Sequence, residues 1–261
     1  MSDIPVCIDI SHHQGFPDFD EVKAAGVLGV IHKATEGTSY VDPNRATNCA
    51  NAIKAGLAVA TYFWLKPGDG RAQAEFNLRT IDPVDGERVI IDYEEDGCTL
   101  TTLRDAVQAL LDYDRALRIT VYSGHLLKEQ LDDDDDDFLA ENTDLWLAQY
   151  NDDPDEISWP DETYDSWTLW QYSETGEIPG IDDGYVDLNR FDGSAAEFLE
   201  WIAPADQPIP PPAPPPPDED LVHVAITAPE GVMVKVTING AAPQRRQRPR
   251  QPVRREPDVL R

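Results

Sequence analysis

Cysteine is scarce in this chain, and long apolar runs are missing. Cys7, Cys49 and Cys98 are odd in number and far apart, which fits neither a disulfide framework nor a zinc pattern. Cys7 stands in an apolar segment, so we expect a buried free thiol there. No apolar run approaches the roughly 18 residues that a membrane span needs, so we expect no membrane insertion. The first residues have neither the basic region nor the apolar core of a signal peptide, which predicts synthesis in the cytoplasm.

Positive charge is also scarce, since 21 Lys and Arg stand against 50 Asp and Glu, for a net charge of −29. Residues 241–261 carry seven Arg against Glu256 and Asp258, a local +5, which leaves −34 on residues 1–240. Such an acidic body repels nucleic acid and anionic membranes, so neither is expected as a partner. The acidic run at 132–137 is predicted to be a solvated loop. A calcium site is the alternative there, although the ligand spacing and glycine of an EF-hand loop are missing.

A proline-rich stretch divides the chain into segments. Residues 205–220 read as a semi-rigid polyproline II linker that follows a folded body, residues 1–204. Residues 221–240 alternate in period two around Pro229-Glu230-Gly231, which predicts a small β-hairpin. A lone hairpin is marginal in water, so we expect it to need a partner surface or self-association. Residues 241–261 are rich in Arg, Pro and Gln and are predicted to be disordered.

The body alternates short β-branched runs with helical patterns. Helices separate the first five or six strands, while the last connections look too short for full crossover helices. The pattern predicts an α/β fold, an irregular TIM-like (β/α) barrel with an irregular final third. The predicted strands are 6–10, 27–33, 57–63, 88–92, 119–122, 145–149, 168–172 and 185–188, and the main predicted helices are 19–25, 44–55, 71–80, 103–117 and 195–202.

The fourth predicted strand leads into a dense group of acids. Val89, Ile90 and Ile91 are too apolar for a strand with one wet face, which indicates a parallel strand covered on both sides. Asp92 and Glu94 would then point the same way, with Cα atoms roughly 6–7 Å apart. Two like charges that close cannot both ionise freely, so one pKa should rise and leave a proton available. The alternative is a plain helix cap with a solvated turn.

Catalytic groups of a β/α barrel come from the C-terminal ends of several strands. Nearly every predicted strand end here carries a carboxylate, an amide or an aromatic ring. Aromatic faces stack on sugar C–H surfaces, and amides and acids bond hydroxyl groups, so this set is typical of a carbohydrate cleft. No metal and no cofactor are expected. The candidate catalytic residues are Asp9, Asp92, Glu94 and Asp187, and the candidate substrate-binding residues are Glu36, Tyr62, Trp64, Tyr122, Trp146, Gln149, Gln171 and Tyr172.

Five segments resemble the signatures of glycoside hydrolase family 25, the N-acetylmuramidases (lysozymes) of bacteria, fungi and many phage endolysins. In chain order they are Asp9-Ile10-Ser11 with Gln14-Gly15, Lys33-Ala34-Thr35-Glu36-Gly37, Asp92-Tyr93-Glu94, Trp170-Gln171-Tyr172 and Val186-Asp187-Leu188-Asn189-Arg190-Phe191. Each segment is weak alone, but all five in order across residues 4–202 are specific. The resemblance implies an irregular β/α barrel, which agrees with the strand pattern.

The resemblance also implies a peptidoglycan hydrolase that cleaves the β-1,4 bond between N-acetylmuramic acid and N-acetylglucosamine by carboxylate acid/base chemistry. Glu94 matches the family's proton donor, Asp9, Asp92 and Asp187 match acids of the same cleft, and Glu36 matches a supporting acid beside Asp9. Asp92 either stabilises the developing positive charge or orients the substrate's acetamido group as nucleophile, and Asp9 is the alternative base.

Two other functions stay open at this point, a barrel glycosidase acting on chitin-like chains and a non-catalytic cell-wall glycan-binding protein. The tail at 241–261 carries a charge of +5, whereas the body is acidic. This contrast leads to the hypothesis that the hairpin and the tail bind the cell wall or a partner protein. An extension without binding energy is the alternative. Family habits imply a bacteriolytic lysin of the phage endolysin type, released through a holin or carried in the virion.

Overall fold

The computed structural model describes residues 6–132, 135–150, 156–181 and 184–202. Strands and helices alternate along most of these residues. The strands are β1 (Cys7–Ile10), β2 (Gly29–Glu36), β3 (Tyr40–Val41), β4 (Ala58–Trp64), β5 (Arg88–Asp92), β6 (Arg118–Ser123), β7 (Asp144–Ala148), β8 (Leu169–Gly176) and β9 (Val186–Phe191). The α-helices are α1 (Phe19–Ala24), α2 (Arg45–Lys54), α3 (Gly70–Ile81), α4 (Leu100–Leu111), α5 (His125–Leu131), α6 (Asp137–Asn142) and α7 (Ala195–Ile202).

Eight of these strands close into a barrel. Strands β1, β2 and β4 to β8 run parallel in ring order, and β9 lies antiparallel between β8 and β1. The two-residue β3 pairs with β2 outside the ring. The connections from β7 to β8 and from β8 to β9 have no α-helix among their described residues. The predicted irregular (β/α) barrel, with last strands that lack full crossover helices, is confirmed.

Side chains on alternate sides of each strand build separate parts of the core. In β5, Val89 and Ile91 point outward and pack under the surrounding helices, while Ile90 points into the barrel. Both faces are buried, which explains why this strand has no polar alternation before Asp92. Cys7, a buried free thiol as predicted, also lies in the barrel interior.

Helix α7 covers the N-terminal ends of the strands. Its Phe198, Trp201 and Ile202 belong to the interior cluster. Arg88, the first residue of β5, is 3% exposed and donates from Nε to the Trp201 carbonyl at 2.7 Å. Gly29, the first residue of β2, lies so close to α7 that an added Cβ would stand 2.7 Å from Ile202. One end of the barrel is therefore plugged, and the C-terminal strand ends remain available for a site.

Several sequence-based boundaries need correction. Helix α4 begins at Leu100, because the Thr99 side chain accepts from the Thr102 N–H, and it ends at Leu111 rather than reaching residue 117. The acidic run at 132–137 is not simply a solvated loop. Asp136 is buried, caps α6 and binds the Arg104 guanidinium at 2.6 Å. No pattern in the sequence analysis had predicted β3 or α6.

The linker at 205–220, the hairpin at 221–240 and the tail at 241–261 lie outside the described residues, so these segment boundaries stay predictions. Within the described part, no helix is both long and apolar enough to cross a bilayer.

Candidate active site

Strand alternation determines which side chains meet at the open end of the barrel. Cys7, Ile31, Ala60 and Ile90 fill the interior, so the residues two positions further along these strands point inward one layer higher. These upper positions hold Asp9 in β1, Lys33 in β2, Tyr62 in β4 and Asp92 in β5, and Tyr122 of β6 and Gln171 of β8 also face the open end. Acids, amides and tyrosines therefore form the floor of an open cavity.

The cavity has a volume of about 260 Å³ and opens to solvent. All four candidate catalytic acids line it, although they come from positions as far apart as 9 and 187 in the sequence. Its lining consists of Asp9, Tyr62, Trp64, Asp92, Glu94, Tyr122, Trp146, Tyr150, Gln171, Glu174 and Asp187.

A hydrogen-bond network fixes Asp9. The Asn189 amide donates to its carboxylate at 2.8 Å, and Gln171 Nε2 donates to both of its oxygens at 3.0 and 3.2 Å. Tyr122 in turn donates to Gln171 Oε1 at 2.7 Å, and Trp146 Nε1 donates to Asn189 Oδ1 at 2.8 Å. Burial raises the pKa of Asp9 to about 6, and the amide donors limit that rise. Asp9 is thus held in one orientation and titrates near neutral pH.

Asp187 reaches the cavity from the start of a strand, not from its end. Because β9 runs antiparallel to the other strands, its N-terminal end lies at their C-terminal ends, and Asp187 is in register with Asp9. The expectation that a forward-running strand presents Asp187 at its C-terminal end was wrong in direction. Burial raises the pKa of Asp187 to about 8, with the charge of Asp9 as the next cause. The contact between the two carboxyl groups acts in opposite directions, since it lowers the pKa of Asp9 and raises that of Asp187.

Asp92 and Glu94 share one face of the segment, since both line the cavity while Tyr93 between them is buried in the outer core. Burial raises the pKa of Asp92 well above its usual value, and the neighbouring Glu94 raises it further. Burial also raises the pKa of Glu94, followed by the charge of Asp187. Asp92 Oδ1 is buried and has no hydrogen-bond partner among the described residues. This oxygen is therefore available to a ligand in the cavity.

Aromatic rings form the walls between these acids. Burial, and next the charge of Asp92, raise the pKa of Tyr62 well above its usual value, so its hydroxyl stays a neutral donor. Trp64 donates from Nε1 to Glu95 at 3.0 Å. Tyr122 packs edge-on against Trp146 at a centroid distance of 4.7 Å, and Trp146 is only 2% exposed. Trp146 therefore supports the floor more than it presents a face to a ligand.

Three predicted binding residues do not line the cavity. Gln149 and Tyr172 stand one position away from the inward-facing Ala148 and Gln171, so strand alternation turns both outward. Gln149 accepts from Lys128 at 2.6 Å, and Tyr172 packs under Arg190 at 4.4 Å. Glu36 binds Lys33 at 2.7 Å and Lys66 at 3.1 Å instead of standing in the lining beside Asp9. Their direct contact with substrate is not supported by this geometry.

Two lining residues were missed by the sequence analysis, Tyr150 and Glu174. Tyr150 is four residues after the inward-facing Trp146, so extending the period-two pattern would have found it. Its hydroxyl donates to Gln171 at 3.1 Å. Glu174 follows a register shift between Gln171 and Ser173 in β8, which the sequence pattern does not reveal.

The arrangement is suited to proton transfer in a partly dry site. Burial raises the pKa values of Asp9, Glu94 and Asp187, while amide donors hold Asp9 in place. Rings and an open mouth can accommodate a sugar chain. Glycoside hydrolysis needs this combination of a protonated acid, a second carboxyl group and a shaped aromatic cleft.

Comparison with known proteins identifies the family. The model of glycosyl hydrolases family 25 matches residues 8–181. Lysozyme M1 of Streptomyces globisporus is 29% identical over an alignment of 220 residues, and the alignment covers 74% of this chain and 69% of that protein. The autolytic lysozyme of Clostridium acetobutylicum is 31% identical over an alignment of 189 residues, and the alignment covers 70% of this chain and 55% of that protein. The crystal structure of a lysozyme from Streptomyces coelicolor has a TM-score of 0.65 at 28% identity and covers 77% of this chain and 98% of that chain. This chain belongs to glycosyl hydrolases family 25 and is a glycoside hydrolase of the lysozyme, or muramidase, type.

Proposed function

We propose that the enzyme cleaves the β-1,4 bond between N-acetylmuramic acid and N-acetylglucosamine in bacterial peptidoglycan, with Glu94 as the proton donor. The observation that carries this proposal is the convergence of Asp9, Asp92, Glu94 and Asp187 in one cavity with aromatic walls. Glu94 is only half-buried, so it can reach an exposed glycosidic oxygen, and its raised pKa keeps it protonated at a pH where an ordinary glutamate is ionised.

We assign the second role to Asp92. Its unpartnered Oδ1 can accept the N–H of an acetamido group on the sugar, which would orient that group as the internal nucleophile. The alternative role of Asp92 is direct stabilisation of the oxocarbenium-like charge. A substrate whose acetamido group is replaced by a hydroxyl distinguishes the two roles. Without the acetamido group the internal nucleophile is missing, so only the acetamido mechanism loses its covalent step.

The test of the proton donor compares three enzymes on purified cell walls, the wild type, Glu94→Gln and Asp96→Asn. Glu94→Gln keeps the shape of the side chain and removes its proton, so we expect kcat/KM to fall by roughly 10²–10⁴-fold. Asp96 is an exposed acid two residues away and does not line the cavity, so its amide variant is the matched control and should keep wild-type activity. Equal clearing of the walls by Glu94→Gln and the wild type would rule out this assignment.

Product analysis identifies the bond. Mass spectrometry of fragments from a defined peptidoglycan should show N-acetylmuramic acid at the new reducing end. A reducing N-acetylglucosamine, or faster cleavage of chitooligosaccharides than of peptidoglycan, would favour the chitin-like alternative. Binding without any new reducing end would favour a glycan-binding protein.

A further inference from the structure

Strand β2 is irregular beside the cavity. Lys33 pairs with Tyr62 of β4, but the next residue of β4, Phe63, pairs with Thr35, so Ala34 is an extra residue in the ladder. Such a β-bulge redirects the side chains that follow it and is frequent next to active sites.

The bulge places two opposite charges on the same side of β2. Lys33 and Glu36 are three positions apart and would face opposite sides of a regular strand. With the bulge, Lys33 stands beside Tyr62 and Glu36 beside Trp64, two residues whose rings line the cavity. The Lys33 ammonium reaches Glu36 at 2.7 Å, an ion pair that a regular strand could not form.

The Lys33 ammonium is buried and held from three sides. Its side chain is 10% exposed, and besides Glu36 it contacts the ring of Trp64 at 4.8 Å and that of Tyr40 at 5.6 Å. A buried cation is costly unless it is paired, and the carboxylate and the two π faces supply that pairing. Lys33 is not among the residues that line the cavity, and its ammonium lies next to the ring of Trp64, which does line it.

Other charged groups surround this position. On the solvent side, Lys66 bridges Glu36 at 3.1 Å and Glu95 at 3.5 Å. The Tyr40 hydroxyl is turned to His12 Nδ1, which also binds Asp42. On the cavity side the facing groups are Asp9, Asp92, Glu94, Glu174 and Asp187, with His125 acting on Glu94. Lys33 is thus a buried positive charge next to a cavity lined with acids.

Lys33 is clamped by Glu36 and by the ring of Trp64, and Trp64 is in register with Asp92 of β5. We propose that Lys33 is a positioning residue which keeps a fixed positive charge beside this end of β5 and so sets the pH range in which Asp92 and Glu94 act. The same charge lowers the pKa values of both Asp92 and Glu94 against the rise caused by burial. Glu36, matched by family resemblance to a supporting acid beside Asp9, supports the site through Lys33 instead. The proposal rests on the proposed function only where glycan cleavage is the readout.

The first measurement is the pH profile of kcat/KM on purified cell walls for the full chain and its variants. Lys33→Met removes the charge at nearly constant length, so the pKa values of both carboxyls rise. We expect both limbs of the profile to move to higher pH by about 0.5–1 unit. Lys33→Arg keeps the charge and should restore the wild-type profile. Lys66→Met is the matched control, because Lys66 binds the same Glu36 with a side chain that is 42% exposed, and its profile should not move.

A second variant tests the sign. The negative charge of Glu36 raises the pKa of Asp92, so Glu36→Gln should move the profile to lower pH, opposite to Lys33→Met. The carboxyl carbons of Asp92 and Glu94, titrated by NMR without substrate, should shift in the same directions. Wild-type titration curves in both Lys33→Met and Glu36→Gln would overturn the proposal. If Lys33→Met does not fold, an unmoved curve in Glu36→Gln alone overturns it. Shifted curves in an enzyme that releases no reducing ends would support Lys33 and reject the muramidase activity.

Discussion

At the scale of single residues, the acids that equip the cavity also destabilise the fold at neutral pH. Burial raises the pKa of Asp9 from 3.8 to about 6 and that of Asp187 from 3.8 to about 8. A carboxyl group with a raised folded-state pKa gives its full stabilisation below the unfolded value, and this is lost as pH rises through the folded value. The free energy of unfolding should therefore decrease between about pH 4 and 8.

Asp187→Asn tests this linkage. The amide cannot ionise and can still donate to Asp9, so the variant should lose much of the pH dependence. At pH 8 we expect its free energy of unfolding to exceed that of the wild type by about 1–3 kcal/mol, with little difference at pH 4. Urea denaturation at both pH values measures it. Asp96→Asn, an exposed acid, is the control and should follow the wild type. A variant less stable than the wild type at pH 8 would contradict the prediction.

Side-chain direction decided which residues the sequence could identify. Asp9, Asp92, Tyr62 and Gln171 stand two residues after interior positions of regular strands, so period-two alternation was enough to find them. If the inward-facing positions of β7 and β8 had been identified first, the period-two alternation of side chains would have predicted Tyr150 instead of Gln149. It would also have excluded Tyr172 from the cavity lining. Glu36 and Glu174 follow register shifts in β2 and β8, and nothing in the residue pattern marks those shifts.

At the scale of elements, the buried guanidinium of Arg88 attaches helix α7 to the N-terminal end of the barrel. Arg88 binds the Trp201 carbonyl, Thr120 and Asp144, and its guanidinium lies 4.1 Å above the Trp201 ring. Burial lowers the pKa of Arg88 to about 10, partly offset by Asp144. Since Arg88 joins α7 to β5 and β6, its removal takes a donor away from the Trp201 carbonyl and from the Thr120 hydroxyl, while Asp144 keeps the Trp201 Nε1 donor.

Arg88→Met should therefore cost about 2–4 kcal/mol of unfolding free energy. Arg71→Met is the matched control, since the Arg71–Asp112 pair is 44% and 50% exposed, and its loss should cost far less than the loss of Arg88. Denaturation of both variants measures the difference. Because Arg88 lies at the closed end of the barrel, the folded fraction should keep its kcat. A loss of kcat in fully folded Arg88→Met would show coupling between the two ends.

Element order could be predicted well, but strand direction could not. The β-branched runs and helical stripes placed all eight barrel strands within a few residues of their observed positions. No α-helix lies among the described residues between β8 and β9, so β9 can return antiparallel to β8, and a strand of six residues has no intrinsic direction in its pattern. Asp187 was therefore identified as a candidate because it is an acid in a predicted strand, but it was assigned to the wrong end of that strand.

At the scale of the whole molecule, charge should control approach to the cell wall. Residues 1–240 carry −34 and residues 241–261 carry +5. An acidic body is repelled by an anionic wall, so we propose that residues 221–261 supply the attraction. The release route expected from the sequence stays a prediction, as does this binding role.

Binding of the full chain and of a chain ending at Pro217 to purified walls, measured by sedimentation, tests the basic tail. We expect the full chain to bind several-fold more at 20 mM salt and the difference to vanish near 1 M, where screening acts over about 3 Å. A full-length chain with the seven tail arginines changed to glutamine separates the charge from the hairpin. Equal binding of the full and shortened chains at low salt would show that the extension adds no binding energy.

The reversed final strand also has a practical consequence. The chain enters β9 at the mouth of the cavity, leaves it at the plugged end and passes directly into α7. A body that stops at Ile202 and is coupled to a bead by its last residue should therefore present its mouth to the medium. Coupling through Lys66, whose ammonium lies beside Glu36 and Glu95 near Trp64, should instead obstruct the entrance.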